Sequence, residues 1–269
     1  MKEHFSIKGG LGFPVALRHY GVQDRGVSPQ GAQDQLSFSI AYKLLDKPSQ
    51  FQAVEMIYPS KIIANQDLYV VITGASYETT KVGIQDVVYN QVFEIRGGET
   101  IDFSGIKKGF RTIIIAIEAN LDSQYLLGNK RSQELDDYIK QNYKNNVIRV
   151  LRGPEYNILR DNSFFENTWS ISSNSSQMGL SLDGPTLDTQ QIEMISQPVA
   201  DGTIQLAPSG PIVLMRHRQT VGGYPRIANA IEPDLNKLSQ FAPGAKIRFV
   251  EIELEKANIE KMKIAQLLS

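Results

Sequence analysis

The apolar residues of this chain fall in short, β-branched runs that stop at glycine, proline or asparagine, and this punctuation restricts the fold more than any other feature. Runs of that length and composition read as strands rather than helices. Residues 67–73 end at Gly74. Residues 86–95 lead to a turn at Gly97-Gly98, and 99–103 read as the returning hairpin strand. Residues 111–117 are β-branched enough for a fully buried strand. In the second half, 147–151 stop at Gly153-Pro154, and 168–172, 203–206, 212–215 and 246–254 follow. Helical signals are few. Leu36, Ile40 and Leu44 recur at i+4 with Ala41 and Leu45 alongside, ahead of Pro48. Leu235 and Leu238 follow Pro233, Ser132 is placed to cap a helix through Leu135, Tyr138 and Ile139, and 255–268 read as a charged, weakly amphipathic tail helix. The expected fold is mainly β, with two β-rich barrel-type subdomains and a few short helices. The polar stretch 141–146 predicts the boundaries: an N-terminal subdomain over 1–146, a barrel-like subdomain over 147–255 and a helical tail over 256–269.

Composition removes several function classes. A net charge of −1 gives no electrostatic footprint for nucleic acid or an anionic membrane. The chain has no cysteine, which excludes disulfides, thiolate metal sites and cysteine nucleophiles and fits a reducing compartment. His4, His19 and His217 lack zinc-type spacing, so no metal site is expected. There is no Walker A loop, Gly-x-Ser-x-Gly elbow or dinucleotide fingerprint. Met1-Lys-Glu-His-Phe5 lacks the apolar core of a signal peptide, and no run approaches the roughly 20 apolar residues of a membrane span. The expectation is a cytoplasmic protein.

Four polar, glycine-punctuated clusters carry the candidate chemistry. Arg218-Gln-Thr-Val-Gly-Gly-Tyr-Pro-Arg226 follows the apolar run at 212–215 and holds two cations, an amide, a hydroxyl and a phenol around Gly222 and Gly223. Paired glycines admit φ > 0 and close approach of a ligand to the main chain; a Gly-Gly hairpin turn with solvated neighbours is the simpler alternative. Gly26-Val-Ser-Pro-Gln-Gly-Ala-Gln-Asp34 precedes the first helix, where Asp34 either orients a ligand or caps the helix, and Ser28 is a hydroxyl donor or part of a Ser-Pro turn. The 173–185 segment, with Gln177, Met178 and Gly179, lines a pocket or forms a surface turn. Ile72-Thr-Gly-Ala75, with Thr73, runs a strand into a glycine, which marks a bulge or a close backbone approach.

In this order the clusters resemble one family. Residues 26–34 are similar to its G-V-x-x-S/G-G-A-x-D segment, 72–75 to L-T-G-A, 177–185 to R-M-G-x-R-L-x-G-P and 218–228 to D-R-Q-T-x-G-G-Y-P-x-I-A. Asp234-Leu-Asn-Lys-Leu238 with Pro243-Gly244 and Phe249 resembles its closing D-L-x-x-L…P-G-x-x-x-x-F. The family is the biotin-dependent carboxyltransferase group, which includes allophanate hydrolase subunit 2, the carboxyltransferase part of urea amidolyase and the C-type subunit of ATP-dependent 5-oxoprolinase. The resemblance implies two β-rich subdomains related to the cyclophilin fold and a role as one subunit of an ATP-dependent amidohydrolase. It implies partner subunits of A and B type, ATP at the level of the complex and a small amide or lactam substrate. The alternative it carries is a non-catalytic partner or antagonist of the B-type, kinase-inhibitor subunit. Covalent biotin is not expected, because the Met-Lys-Met motif is missing. The chain departs from the pattern at Gln177, at His217 and over residues 12–20.

Residue chemistry assigns roles within these clusters. Arg218 is the candidate clamp for a carboxylate or phosphate. Gln219, Thr220 and the Gly222 and Gly223 N–H groups are candidate oxyanion donors. Tyr224 orients substrate or donates a proton, and Asp34 is the candidate base. Ser28, Gly31, Thr73, Gln177, Met178, Gly179 and Pro225 complete the expected substrate-binding set.

Overall fold

A computed structural model describes residues 3–58 and 61–269; Met1 and Lys2, part of the N-terminal stretch read above for a leader, lie outside the described residues. Two compact units result. The first combines the chain up to Ala16 with Asp34–Ile139, and the second combines Leu17–Gln33 with Lys140–Leu267. The expected boundary at 146 left residues 17–33 in the first half. Hydrogen bonds between Arg18, Gly31 and Gln33 and residues 177, 201, 216 and 217 hold that segment in the second unit instead.

The first unit is built on an eight-stranded sheet. Its strands are Phe5–Lys8 (β1), Leu11–Pro14 (β2), Gln52–Tyr58 (β3), Lys61–Ala64 (β4), Leu68–Val82 (β5), Gln85–Asp86 (β6), Phe93–Ile95 (β7) and Thr100–Glu118 (β8). The antiparallel ladder between β5 and β8 dominates, running from Leu68 opposite Glu118 to Val82 opposite Ile101. The run at 67–73 therefore does not stop at Gly74. It passes through that glycine, whose φ is +85°, and the register shifts between Gly74 and Ser76, a bulge that lets the strand continue. The run at 86–95 is strand only at its two ends, since Asn90 takes φ +59° and bends the chain between them. The expected hairpin across Gly97-Gly98 also re-pairs: β7 lies on β5, while β8 takes β4 and β5 as partners. Along β8, Ile114 and Ala116 join the sheet's hydrophobic cluster, and Ile113 and Ile115 point to the opposite face. Helix α1, Gln35–Leu44, packs on β5 and β8, so 111–117 are buried on both sides and lose the alternation of a half-exposed strand. The Ser132 helix is present as α2, Gln133–Asn142.

The second unit contains Val147–Arg152 (β9), Trp169–Ile171 (β10), Gly179–Asp183 (β11), Gln197–Pro198 (β12), Thr203–Ala207 (β13), Gly210–Leu214 (β14), Val221–Gly222 (β15), Arg226–Ala230 (β16) and Lys246–Glu251 (β17). Seven of them close a barrel in the order β10-β11-β14-β13-β16-β9-β17, and β12 pairs separately with β15. The barrel core gathers Ile148, Val150, Trp169, Ile204, Val213 and Phe249. Trp169 satisfies its indole N–H on the Phe164 carbonyl at 3.0 Å from α3, Ser163–Glu166. The run at 246–254 is strand only to Glu251, because Leu254 opens the tail helix α5, Leu254–Leu267. Helix α4, Glu232–Leu238, has Pro233 in its first turn, where a missing N–H costs nothing.

Candidate functional site

Two of the four motif clusters, and the residue two positions before a third, meet at one buried side chain of the second unit. Gln33, with no solvent exposure, donates from Nε2 to the Gln177 carbonyl at 2.8 Å and accepts at Oε1 from the Arg216 N–H at 3.1 Å. Two further bonds tighten the junction. The His217 Nε2–H donates to the Gly31 carbonyl at 2.7 Å, and the Met215 N–H donates to the Met178 carbonyl at 2.9 Å. His217, at the departure from the family's aspartate, thus serves as a strap across the site. Gln33 lies inside the quoted 26–34 motif, but nothing in its sequence context marked it over its neighbours.

Asp201 lies beside this junction and faces three arginines. Its Oδ2 accepts from Arg18 at 2.5 Å and from Arg216 at 3.0 Å, and its Oδ1 lies 2.9 Å from the Arg218 Nε. The Arg218 contact is a close charge pair without the angle of a directed hydrogen bond, so its distance alone overstates it. Arg18, Arg216 and Arg218 are 10, 2 and 7% exposed. Arg216 also donates to Asn236 Oδ1 at 3.3 Å, and Arg218 to the Gln219 carbonyl at 3.0 Å. The four residues border a cavity of about 370 Å³. Of the candidate catalytic and substrate-binding residues expected from sequence, only Arg218 lines it. Arg18, Asp201 and Arg216 went unnoticed because they stand in three separate segments, and only the fold brings them together.

The Gly-Gly-Tyr segment has a different local logic from the one expected. Neither Gly222 nor Gly223 takes a positive φ. Gly222 sits in β15 opposite Gln197, and a Cβ there would stand 2.5 Å from Gln205 Nε2. The glycine is required by packing on Gln205, not by turn conformation. Gln205 is buried, donates to the Tyr224 carbonyl at 3.0 Å and accepts from Gln219 Nε2 at 3.3 Å, so it holds the loop from beneath. Tyr224 is 46% exposed, and Met178 is 49% exposed. Thr220 accepts the Val199 N–H through its carbonyl, and Pro225 accepts that of Leu206. Gly179 pairs with Leu214 inside the barrel, and Ser28 is buried. Arg226 is bound to Glu155 by three contacts of 2.7–2.9 Å, and these hydrogen bonds hold the Glu155 carboxyl below its ordinary value.

Asp34 and Thr73 belong to the first unit and are occupied there. Asp34 is the N-cap of α1: its carboxylate accepts the Ser37 N–H at 3.0 Å and the Ser37 hydroxyl at 2.6 Å. Thr73 donates to the Ser37 carbonyl at 2.8 Å. The Asp34 N–H donates to Glu55 Oε1 at 3.0 Å, and Glu55 lies 3.4 Å from Arg111. Burial lowers the Arg111 value, and the Glu55 and Asp34 charges oppose that shift. Of the two readings open for Asp34, the geometry is that of the cap.

Among the described residues, no group of His, Asp or Glu is placed to hold a metal ion and no helix is long and apolar enough to cross a membrane.

Comparison with known proteins agrees with this architecture. The chain is 29% identical to the C-type subunit of 5-oxoprolinase from Haemophilus influenzae, over 90% of its own length and 88% of the relative's. It is 28% identical to the corresponding 5-oxoprolinase subunit from Escherichia coli, over 88% and 87%. The solved K. lactis urea amidolyase superposes with a TM-score of 0.84 at 16% identity, covering 98% of this chain and 20% of that much longer one; at that identity the likeness speaks for the fold alone. The family model described as carboxyltransferase domain, subdomain A and B, matches residues 25–136 and 118–251. With most of its length matched, this chain belongs to the carboxyltransferase-domain family of subdomains A and B.

Proposed function

We propose that the chain is the C-type subunit of a multi-subunit amidohydrolase that opens the lactam of 5-oxoproline to glutamate at the expense of ATP. The observation that carries this reading is the nearly end-to-end similarity to two proteins named as the C-type subunit of 5-oxoprolinase. The local geometry supports it: Gln33 gathers the 26–33, 177–185 and 215–218 segments of the second unit at one place. Arg218, on the wall of the cavity, is the substrate-facing cation of the proposal. Tyr224, an exposed residue, is free to orient a ligand from the loop that Gln205 supports. Asp34 receives no proton in this scheme, since its carboxylate is buried and caps α1.

ATP is assigned to the complex. Gly222 is committed to the pairing of β12 with β15 and lies against Gln205, so the glycine pair does not offer the open cradle of N–H groups that phosphates require. No step of the reaction is therefore routed through a nucleotide on this chain.

The internal pairing of Arg218 with Asp201 and the cap role of Asp34 favour a second reading, a non-catalytic partner or antagonist of the B-type subunit. One reconstitution separates the two. Glutamate formation from 5-oxoproline is measured with ATP for this chain alone, for the A- and B-type subunits alone, and for all three together, with urea and allophanate as parallel substrates. Turnover of 5-oxoproline only by the full set is the expected result. Turnover that the A- and B-type pair performs equally well without this chain assigns it to the second reading. Turnover by the chain alone contradicts both.

A further inference from the structure

The cavity beside Asp201 has an unbalanced charge. Arg18, Arg216 and Arg218 surround one carboxylate, and guanidinium groups do not lose their protons in proteins. Two positive charges remain uncompensated among side chains that are nine-tenths buried or more. The other charged residues on the cavity wall do not correct this. Glu232 pairs with Lys261 at 3.1 Å, and both are well exposed. The Nε atoms of Arg18 and Arg216 are buried and have no hydrogen-bond partner among the described residues. Removing cations from water without a counter-charge is strongly unfavourable, so the arrangement calls for an anion. The lining also carries apolar side chains, Leu151, Ile231, Leu235, Leu254 and Ala257, which a bare inorganic ion leaves without a partner.

We propose that this cavity is a binding site for a small organic acid, with its carboxylate taken by the three arginines and its apolar body laid along the Leu151–Leu235 wall. Asp201 sets the affinity. It holds the three cations together when the site is empty and offsets part of their charge when the acid enters. Equating this acid with the substrate of the proposed function rests on that reading. The binding itself does not, and it is measured on this chain alone.

The probes are hexanoate, hexan-1-ol and inorganic phosphate, titrated calorimetrically into the purified chain at constant ionic strength. Saturable binding of hexanoate is expected, with hexan-1-ol and phosphate each weaker by about tenfold or more, because each lacks one half of the match. Arg18→Gln should weaken hexanoate by about tenfold or more, with Arg18→Lys between that variant and the wild type. Circular dichroism and melting establish that each variant is folded. Asn258→Glu, at an exposed position on the cavity wall, adds a repelling charge and provides the test if Arg18→Gln does not fold. Absence of hexanoate binding, equal binding of hexan-1-ol, or hexanoate affinity unchanged in a folded Arg18→Gln or in Asn258→Glu overturns the site. Phosphate binding as tightly as hexanoate overturns the assignment to organic acids. Failure of 5-oxoproline turnover in the reconstituted complex, with hexanoate binding intact, removes the enzymatic reading and leaves this one standing.

Discussion

Gln33 and Gln177 are joined at 2.8 Å by a single amide-to-carbonyl hydrogen bond, and through it the segment before α1 is fastened to the approach to β11. Both the donor at one end of the Gln33 amide and the acceptor at the other are used, and the side chain is fully buried. Gln33→Leu keeps much of the volume and leaves the Gln177 carbonyl and the Arg216 N–H without their partner. The buried Arg216 N–H costs about 1–3 kcal/mol when abandoned and the part-buried Gln177 carbonyl less, so a loss of roughly 1–4 kcal/mol is expected in urea unfolding. Gln33→Glu keeps the acceptor for Arg216 but sets a buried carboxylate oxygen against the Gln177 carbonyl, so it should lose at least as much as Gln33→Leu. A clearly smaller loss for Gln33→Glu would contradict this.

Gly222 and Gln205 form a second coupled pair. Gly222→Ala places a methyl 2.5 Å from Gln205 Nε2 and must push the amide away from the Tyr224 carbonyl. A destabilisation of about 1–3 kcal/mol is expected from overpacking. In the Gly222→Ala/Gln205→Ala double variant the clash is absent, so the combined cost should fall clearly below the sum of the single costs. Strict additivity in a thermal-denaturation cycle would rule out the contact as the reason for the glycine.

Arg218→Lys keeps the charge and loses the planar fork that reaches both Asp201 and the Gln219 carbonyl. Because its partners are internal, a loss of about 1–3 kcal/mol in stability is expected without any ligand present. Differential scanning calorimetry of the ligand-free variant checks this, and an unchanged melting temperature would mean that the Asp201 pairing is energetically idle.

The Glu155–Arg226 pair contributes to stability in a defined pH range. The hydrogen bonds from Arg226 hold the folded-state carboxyl below its ordinary value of 4.5. Such a group stabilises the fold at pH values above its unfolded pKa, and the contribution is lost as pH falls through the lower, folded value. Between pH 7 and pH 5 the wild type should keep the full increment over Glu155→Gln. The two stability curves should then converge below the ordinary value. Denaturant midpoints measured from pH 7 to pH 3 test this, and a gap that widens on acidification would contradict it.

Local signals in the chain were legible where one element decides its own structure. The i+4 spacing of Leu36, Ile40 and Leu44 yields α1, and Asp34 caps it; Pro233 marks the first turn of α4. Strand existence was legible, but strand extent was not. Gly74 looked like an end because a glycine stops a short window, whereas the bulge there lets β5 continue along β8. Pairing partners were harder still, since β7 and β8 are neighbours in sequence but bind different strands. At the site, the glycine-rich motifs were visible, but their physical reason was misread at Gly222, where side-chain packing rather than backbone conformation applies. The charged cluster was invisible for a simpler cause. Arg18, Asp201 and Arg216 carry no shared spacing, and their association exists only once residues 17–33 have joined the second unit.

The barrel closes through β9 and β17, which run parallel, with Val147 beside Arg248 and Val150 beside Glu251. A ribosome delivers these strands at very different times. Until the last of them emerges, β9 and β10 each present a row of unanswered N–H and C=O groups, a template for pairing with another chain. The nascent second unit therefore passes through a stage with six strands in hand and two open edges. A premature stop before β17 should produce aggregation rather than a smaller folded barrel.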